Sequence, residues 1–281
     1  MARGKLCIDI GGTKIIFAIL SGPGRIEKST KISTPNSKKP FLRLLSENII
    51  RYLPESNGII NVSIAGRLNE AGKVVFCPNL PIKGFGLKKF MQKFSEKITI
   101  ENDGNCFAIG QLYDGYLEKA KSGLVIVWGT GIGGSVISKR RVYKGGGFAA
   151  EVGHVTYDYK KGTDVESVIG GKSIQRIYGT SGFELHSLAE SGNKKAINIF
   201  SDIGRTFGYY LSSLIFVLDP DIIVIGGSFA NSWKFMRKSV YNVIKEKSLR
   251  GKANIRIARG KFYVVRGCYF LDEYEDIDNK F

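Results

Sequence analysis

An apolar run, a glycine turn and a second apolar run occur twice in this chain, more than a hundred residues apart. The first copy is Leu6 to Ile10, then Gly11-Gly12-Thr13-Lys14, then Ile15 to Leu20. The second is Leu124 to Trp128, then Gly129-Thr130-Gly131-Ile132-Gly133-Gly134, then Ser135 to Ser138. Each copy reads as a hairpin rather than as a strand running into a helix. A repeat at this distance is too long for a solenoid. It predicts two related α/β lobes, each opening on the same hairpin, and a length of 281 residues agrees with about two domains.

The remaining elements fit that plan. Strands are predicted at Ile26 to Ile32, Ile59 to Ile64, Ile98 to Ile100 and Ile222 to Ile225. Apolar residues at helical spacing predict helices over Phe41 to Leu53, Phe85 to Phe94, Ala196 to Leu218 and Trp233 to Lys245, and Asp103 opens another that runs to about Glu118. Pro220 prevents the long helix from continuing. No Pro- or Ser-rich linker separates the halves, so the lobes are expected to pack around a cleft.

Composition narrows the function. Hydrophobic residues are 43% and charged residues 24%, an ordinary globular mix that excludes disorder as the default. Lys and Arg number 42 against 25 Asp and Glu, a net charge of +17, but the basic residues are spread along the chain rather than massed. That pattern reads as solvated surface and predicts no nucleic-acid partner, although such a field favours phosphorylated ligands. The last residues reverse sign at Asp272, Glu273, Glu275, Asp276 and Asp278. Cys7, Cys77, Cys106 and Cys268 are far apart, and only two histidines exist, His154 and His186, so a Cys/His metal site is hard to assemble. The most apolar stretch, Leu211 to Gly227, is broken by Asp219, Pro220 and Asp221, which argues against a membrane span. Without a visible signal peptide, the expected location is cytoplasmic.

Several short motifs carry chemistry. Asp9 sits at a strand end beside the first glycine turn, whose backbone N–H groups can approach phosphate oxygens; Asp9 could hold Mg²⁺ directly or through water. An ordinary tight turn is the plainer alternative. Gly129 to Gly134 spells G-x-G-x-x-G, but that dinucleotide fingerprint needs a helix directly after it, and Ser135-Val136-Ile137-Ser138 is β-rich. A second phosphate-binding hairpin, facing the first, fits better. Gly171-Lys172-Ser173 is not a Walker A loop, because Glu166 stands where its first glycine belongs. Asp103 in Glu101-Asn102-Asp103-Gly104-Asn105 is either the N-cap of its helix or a general base for a hydroxyl. Glu151, His154 and Glu166, with Asn102, could satisfy the hydroxyls of a sugar, while a lone His154 could equally be structural.

Taken in order, Asp9-Ile-Gly-Gly-Thr-Lys14, Cys77-Pro-Asn79-Leu80, Glu101-Asn-Asp103-Gly-Asn105, Gly129-Thr-Gly-Ile-Gly-Gly134, Glu151-Val-Gly-His154, Glu166 and Asp219-Pro-Asp-Ile-Ile-Val-Ile-Gly-Gly227 resemble the ROK family of sugar kinases and sugar-responsive repressors. The resemblance covers nearly the whole chain. It implies the actin-like, hexokinase-like ATPase fold, with duplicated ribonuclease H-like α/β lobes and an interlobe cleft. The first lobe would span 1–105, completed by 262–281, and the second 106–261. The resemblance also implies ATP-dependent phosphorylation of a hexose, glucose first, at its 6-hydroxyl, with N-acetylmannosamine or N-acetylglucosamine as alternative acceptors.

By motif, Asp103 would be the catalytic base, and Asn79, Asn102, Glu151, His154 and Glu166 would contact the sugar. Gly11, Gly12, Thr13, Lys14, Thr130, Gly131 and Gly133 would hold ATP phosphates, Asp9 would lie near Mg²⁺, and Gly226 and Gly227 would lie by the adenosine. Many relatives carry a cysteine-rich zinc loop after the Glu-x-Gly-His motif, to which the histidine contributes. Here Thr156 to Val165 contains no cysteine, so no structural zinc is expected. The tail departs too: Val264 to Cys268 is only loosely like the small-residue helix usual there. The core starts at Lys5, leaving no room for a repressor's helix-turn-helix, which favours an enzyme over a silent sugar sensor. A homodimer is expected from the same resemblance.

Overall fold

A computed structural model of the chain describes residues 4–249, 251–258 and 263–278, without the side chains of 276–278. The described residues divide into two units. One comprises the chain up to Glu118, Gly145–Phe148 and the C-terminal helices; the other comprises Lys119–Lys144 and the chain from Ala149 to residue 258.

The first unit is built on strands β1 (Gly4–Ile10), β2 (Lys14–Gly22), β3 (Arg25–Ser33) and β4 (Ser56–Ile64), with helix α1 (Lys38–Tyr52) between the last two. A two-stranded ribbon of β5 (Arg67–Leu68) and β6 (Val74–Phe76) follows, then α2 (Leu87–Met91), β7 (Ile98–Asn102) and α3 (Asp103–Asp114). The five-stranded sheet runs β3-β2-β1-β4-β7. β1 pairs antiparallel with β2 and parallel with β4, and β4 pairs parallel with β7. β1 is central and almost wholly buried, whereas the edge strand β3 alternates exposed and partly buried residues and carries Lys28 and Lys31, which discourage further pairing. Phe41, Leu45, Ile49 and Tyr52 of α1 close one face over Leu6, Ile8, Ile10 and Phe17.

Two predicted helices are shorter than their apolar spacing suggested. The regular part of the 85–94 segment is only α2, which Gly86 precedes and a tightened turn ends, with Lys93 N bonding Phe90 O and Phe94 N bonding Met91 O. Phe85, Phe90 and Phe94 still pack in sequence, the first pair tilted and the second edge to face, at 5.6 and 5.7 Å between ring centroids. α3 stops at Asp114 because Gly115 turns extended and Gln111 Oε1 takes the N–H of Tyr116 at 3.2 Å.

The second unit repeats the plan. Its strands are β8 (Ser122–Trp128), β9 (Ile132–Ser138) and β10 (Arg141–Val142), then a ribbon of β11 (Thr156–Asp158) and β12 (Thr163–Asp164). Helices α4 (Val165–Ile169), α5 (Gly171–Tyr178), α6 (Gly182–Glu190) and α7 (Lys194–Leu218) follow, then β13 (Ile222–Gly226), α8 (Trp233–Lys247) and β14 (Ile255–Ile257). The sheet order β10-β9-β8-β13-β14 matches the first sheet strand for strand: an antiparallel meander, then two parallel additions. Because β9 starts at Ile132, a strand rather than a helix follows the second glycine turn. Phe200, Phe207 and Leu211 of α7 and Met236, Val240 and Ile244 of α8 pack under Leu124, Ile126, Trp128 and Ile225.

The chain ends in α9 (Tyr263–Cys268) and α10 (Leu271–Asp278), which belong to the first unit. The loosely matching tail is therefore helical. Its essential small residue is Gly267, since a Cβ there would overlap the backbone carbonyl of Cys106 on α3. Lys5 of β1, nearly buried, donates to Tyr269 O at 3.0 Å and pairs with Asp272 at 2.9 Å and Glu273 at 2.8 Å. Part of the acidic tail thus fastens α10 to the sheet; the side chains of Asp276 and Asp278 lie outside the described residues. Among the described residues, no helix is long and apolar enough to cross a membrane.

Candidate active site

In each unit several of the residues singled out from sequence lie at the carboxyl ends of parallel strands or on the turns that follow them, the edge where open α/β sheets bind ligands. In the first unit Leu6, Ile8 and Ile10 face the core under α1, so the twofold strand period sends Lys5, Cys7 and Asp9 to the opposite face. Asp9 is partly buried. Directly across on β4 stands Ser63, whose hydroxyl donates to Asp9 Oδ1 at 3.0 Å. Burial and the nearby negative charge of Asp103 push the Asp9 carboxyl up to a pKa of about 7, against the Ser63 hydrogen bond and the charge of Lys14.

Asn102 ends β7 and caps α3. Its Oδ1 accepts from Gly104 N at 3.0 Å and Asn105 N at 3.3 Å, and its Nδ2 donates to Gly66 O at 3.1 Å. The capping role left open for Asp103 therefore belongs to Asn102. Asp103 is the first helical residue, with Oδ1 accepting from Gly104 N at 2.9 Å.

The turn between β1 and β2 closes with Gly11 N donating to Lys14 O at 3.0 Å. Thr34, just past β3, buttresses it: its Oγ1 donates to Gly11 O at 2.7 Å and its N–H to Thr13 O at 3.1 Å. A Cβ on Gly12 would lie 2.6 Å from Cβ of Asn79, so only glycine admits Asn79 against this turn. Asp9, Gly11, Gly12, Asn79, Asn102 and Asp103 thus belong to one edge. Thr13 and Lys14 are on that turn but exposed.

In the second unit Trp128 anchors the end of β8. Its Nε1 donates to Ile169 O at 2.9 Å, and its ring packs between Phe207 and Phe229. The turn Gly129-Thr130-Gly131 follows, tied down by Gly171 N to Gly129 O at 3.1 Å and Lys172 N to Thr130 O at 3.0 Å. Glu166 reaches the same turn: Oε2 accepts from Ile132 N at 2.6 Å, and a Cβ on Gly131 would overlap that carboxylate. Gly226 pairs with Val127, and Gly227 (φ +89°) lies so close to the Trp128 backbone that a side chain would collide. Thr130, Gly131, Gly226 and Gly227 therefore share one edge, while Gly133 lies within β9. Glu151 precedes a 3₁₀ turn, Val152–His154, and His154 Nδ1 is 3.0 Å from Asp164 Oδ2. That hydrogen bond, opposed by partial burial, and the negative charges of Glu166, Asp164 and Glu151 raise the His154 pKa.

Both glycine turns suit a nucleotide's phosphates. Among the described residues no three His, Cys, Asp or Glu side chains converge as a metal-ligand set. Mg²⁺ does not need one, since it keeps its waters and takes one or two carboxylates plus substrate phosphates. Asp9, raised by burial and then by a like-charged neighbour, is a carboxyl that a cation would return to its ionised form.

A sequence profile of the ROK family matches residues 5–261. The chain belongs to the ROK family. Among its ROK relatives is the N-acetyl-D-glucosamine kinase of Photobacterium profundum, 25% identical over 252 residues, covering 79% of this chain and 83% of that protein. Another is the glucokinase of Halalkalibacterium halodurans, 25% identical over 280 residues, covering 85% and 84%. The crystal structure of a ROK family glucokinase from Streptomyces griseus in complex with glucose and AMPPNP superposes with a TM-score of 0.83 at 23% identity, over 95% of this chain and 98% of that one. The fold is accordingly the two-lobed, actin-like ATPase fold. Three residues of this ROK chain that support the site were not read from sequence: Ser63, Thr34 and Asp164. Ser63 and Thr34 act through partners in other elements, so no local pattern marks them, whereas Asp164 carries a local signal, the Asp-x-x-Ser capping box with Ser167, but meets His154 only through the fold.

Proposed function

We propose that this chain transfers a phosphoryl group from MgATP to the 6-hydroxyl of a hexose, with glucose as the acceptor. At the coarser level the chain is a sugar kinase of the ROK type, the class to which both named relatives belong. The observation that supports transfer to a hydroxyl is the placement of Asp9 at the end of β1, beside a glycine turn and within electrostatic reach of Asp103 at the start of α3. Two nearby acids with separate tasks suit phosphoryl transfer, where one group accepts the hydroxyl proton and another handles the phosphate end.

Each unit has its share of the work. Asp103 takes the proton of the 6-hydroxyl as that oxygen bonds to the γ-phosphorus and the bond from the γ-phosphorus to the β,γ-bridging oxygen breaks, releasing ADP. The turns present the backbone N–H groups of Gly12, Thr13, Thr130 and Gly131 to the phosphates, a fixed set of dipoles that needs no reorganisation as charge builds up, while Gly11 N and Gly129 N close the turns on Lys14 O and Gly131 O. Asp9 would hold Mg²⁺, directly or through water, and the ion would neutralise charge on the phosphates. Asn79, Asn102, Glu151, His154 and Glu166 take the sugar hydroxyls, and Gly226-Gly227 lets the adenosine lie close to the end of β13.

A second reading, with an N-acetylated aminohexose as acceptor, draws on the relative from Photobacterium profundum. One assay separates the two: ADP release from MgATP with glucose, mannose, fructose, N-acetylglucosamine and N-acetylmannosamine. Fastest release with glucose is expected. Preference for an N-acetylated sugar would move the assignment to the second reading, and no release with any sugar from folded protein that binds ATP would overturn both.

A further inference from the structure

We propose that Asp164 is a positioning residue for sugar recognition: one oxygen of its carboxylate holds the His154 ring while the other fixes the start of the helix that bears Glu166. The proposal rests on the reading of His154 as a sugar ligand and adds to it a residue that contacts neither sugar nor nucleotide.

Asp164 ends β12 and is the N-cap of α4. Its Oδ1 accepts from Ser167 N at 2.8 Å, and the Ser167 hydroxyl answers at the Asp164 backbone, completing a capping box. Its Oδ2 remains for His154 Nδ1, at 3.0 Å. Burial works against its charge, but the hydrogen bonds from His154 and Ser167 prevail and hold the carboxyl below its ordinary pKa. An ionised carboxylate can only accept, so Nδ1 must carry the proton. In the neutral ring Nε2 is then an acceptor, the polarity needed to take a hydrogen bond from a sugar hydroxyl.

The other arm reaches farther. Glu166 is the second residue of α4, and its Oε2 holds Ile132 N of the second glycine turn. Asp164 therefore sets the tautomer of a sugar-side imidazole and the register of the helix whose carboxylate clamps a phosphate turn. The His154 side chain is 52% exposed. A surface ion pair with so exposed a partner does little for stability. Its consequence lies in which ring nitrogen bears the proton.

The test separates the two arms. Asp164→Ser keeps a good N-cap oxygen for Ser167 N but cannot reach the ring; Asp164→Asn keeps the cap and the reach but loses the charge. Asp164→Ser should raise the sugar KM roughly tenfold, as loss of an orienting partner does elsewhere, with the ATP KM within about twofold. In a His154→Ala background, the same change should do nothing further. Independently of catalysis, the His154 ring signals in the proton NMR spectrum, assigned against His186→Ala, should titrate at lower pH in both Asp164 variants. Effects of Asp164→Ser and His154→Ala that multiply, or a ring titration unmoved by either Asp164 variant, would overturn the proposal. If the wild type phosphorylates no sugar, the kinase reading fails, and the ring titration still decides whether Asp164 governs His154.

Discussion

The turn between β1 and β2 and the turn between β8 and β9 are each three residues long and join the same pair of strands in sheets of the same order. Their supports differ. The first has an acid in its own strand, Asp9, and is buttressed by a neutral hydroxyl, Thr34 Oγ1, on a turn carbonyl. The second has Val127 and Trp128 in the strand before it, and its acid comes from α4 as Glu166, which accepts from the N–H of Ile132 where β9 leaves the turn. A duplicated hairpin can thus be specialised without altering its path. The copy with an acid in its strand has a carboxylate available for chemistry, while the copy without one borrows a carboxylate to stay in shape.

The largest test of that difference removes the acid next to Asp9. Asp103→Asn should lower kcat by roughly 10²- to 10⁴-fold, the usual contribution of a positioned general base, with little change in sugar KM. Lost sugar affinity with turnover per bound sugar preserved would assign Asp103 to binding instead. The same variant takes away one of the influences that raise Asp9, so the Asp9 pKa should fall toward the ordinary carboxylate value.

Asp9 also makes stability depend on pH, and the sign follows from its direction. Its pKa rises from about 4 in the unfolded chain to about 7 in the fold. Between those values the native state holds a proton that the unfolded state has lost. The stabilisation is therefore complete below about pH 4 and is lost as pH rises through about 7. A gap of that size is worth at most about 4 kcal/mol, and water reaching the partly exposed carboxyl lowers it. Asp9→Asn should flatten the decline in denaturation midpoint between pH 4 and 7, with Mg²⁺ and nucleotide absent. An unchanged slope would mean that Asp9 is ionised throughout the range.

How much of this could be read in advance differs between backbone and site. The two hairpins, the strands beside them and the long helix α7 were legible because each is an apolar run with its own stop signal. Asp219, left-handed at φ 40°, and Pro220 end α7 where expected. Local motifs also placed Asp9 at a strand end and Asp103 at the start of a helix. The partners were not legible. Ser63 meets Asp9 only through the register of β1 on β4, Asn79 meets Gly12 across a turn, and Glu166 meets Ile132 from a helix 34 residues later. From sequence, Glu166 counted as a sugar ligand alone; in the fold its carboxylate also holds the second turn. Helix length failed for a related reason, since the spacing of Phe85, Phe90 and Phe94 reports ring packing rather than continuous helix.

The clamps themselves give the next contrast. Glu166→Ala leaves the N–H of buried Ile132 without its charged acceptor and should lower stability by roughly 1.5 to 3 kcal/mol. It should also weaken ATP through the loosened turn. Chemical denaturation and an ATP titration would read both, and a variant as stable as the wild type would show that the Gly171 and Lys172 bonds hold the turn unaided.

The smallest effect belongs to the first turn. Thr34→Val keeps the shape and the backbone bond to Thr13 O but removes the hydroxyl from Gly11 O. A neutral hydrogen bond of this kind contributes about 0.5 to 1.5 kcal/mol, and Gly11, only partly buried, leaves its carbonyl within reach of water. The cost should therefore sit at the low end and below that of Glu166→Ala. Strand pairing on both sides and Asn79 against Gly12 continue to hold the turn, so ATP affinity should change less than in the Glu166 variant. If Thr34→Val proved the more damaging of the two in denaturation, the stability of the paired turns would follow from local buttressing rather than from the charge of the borrowed acid.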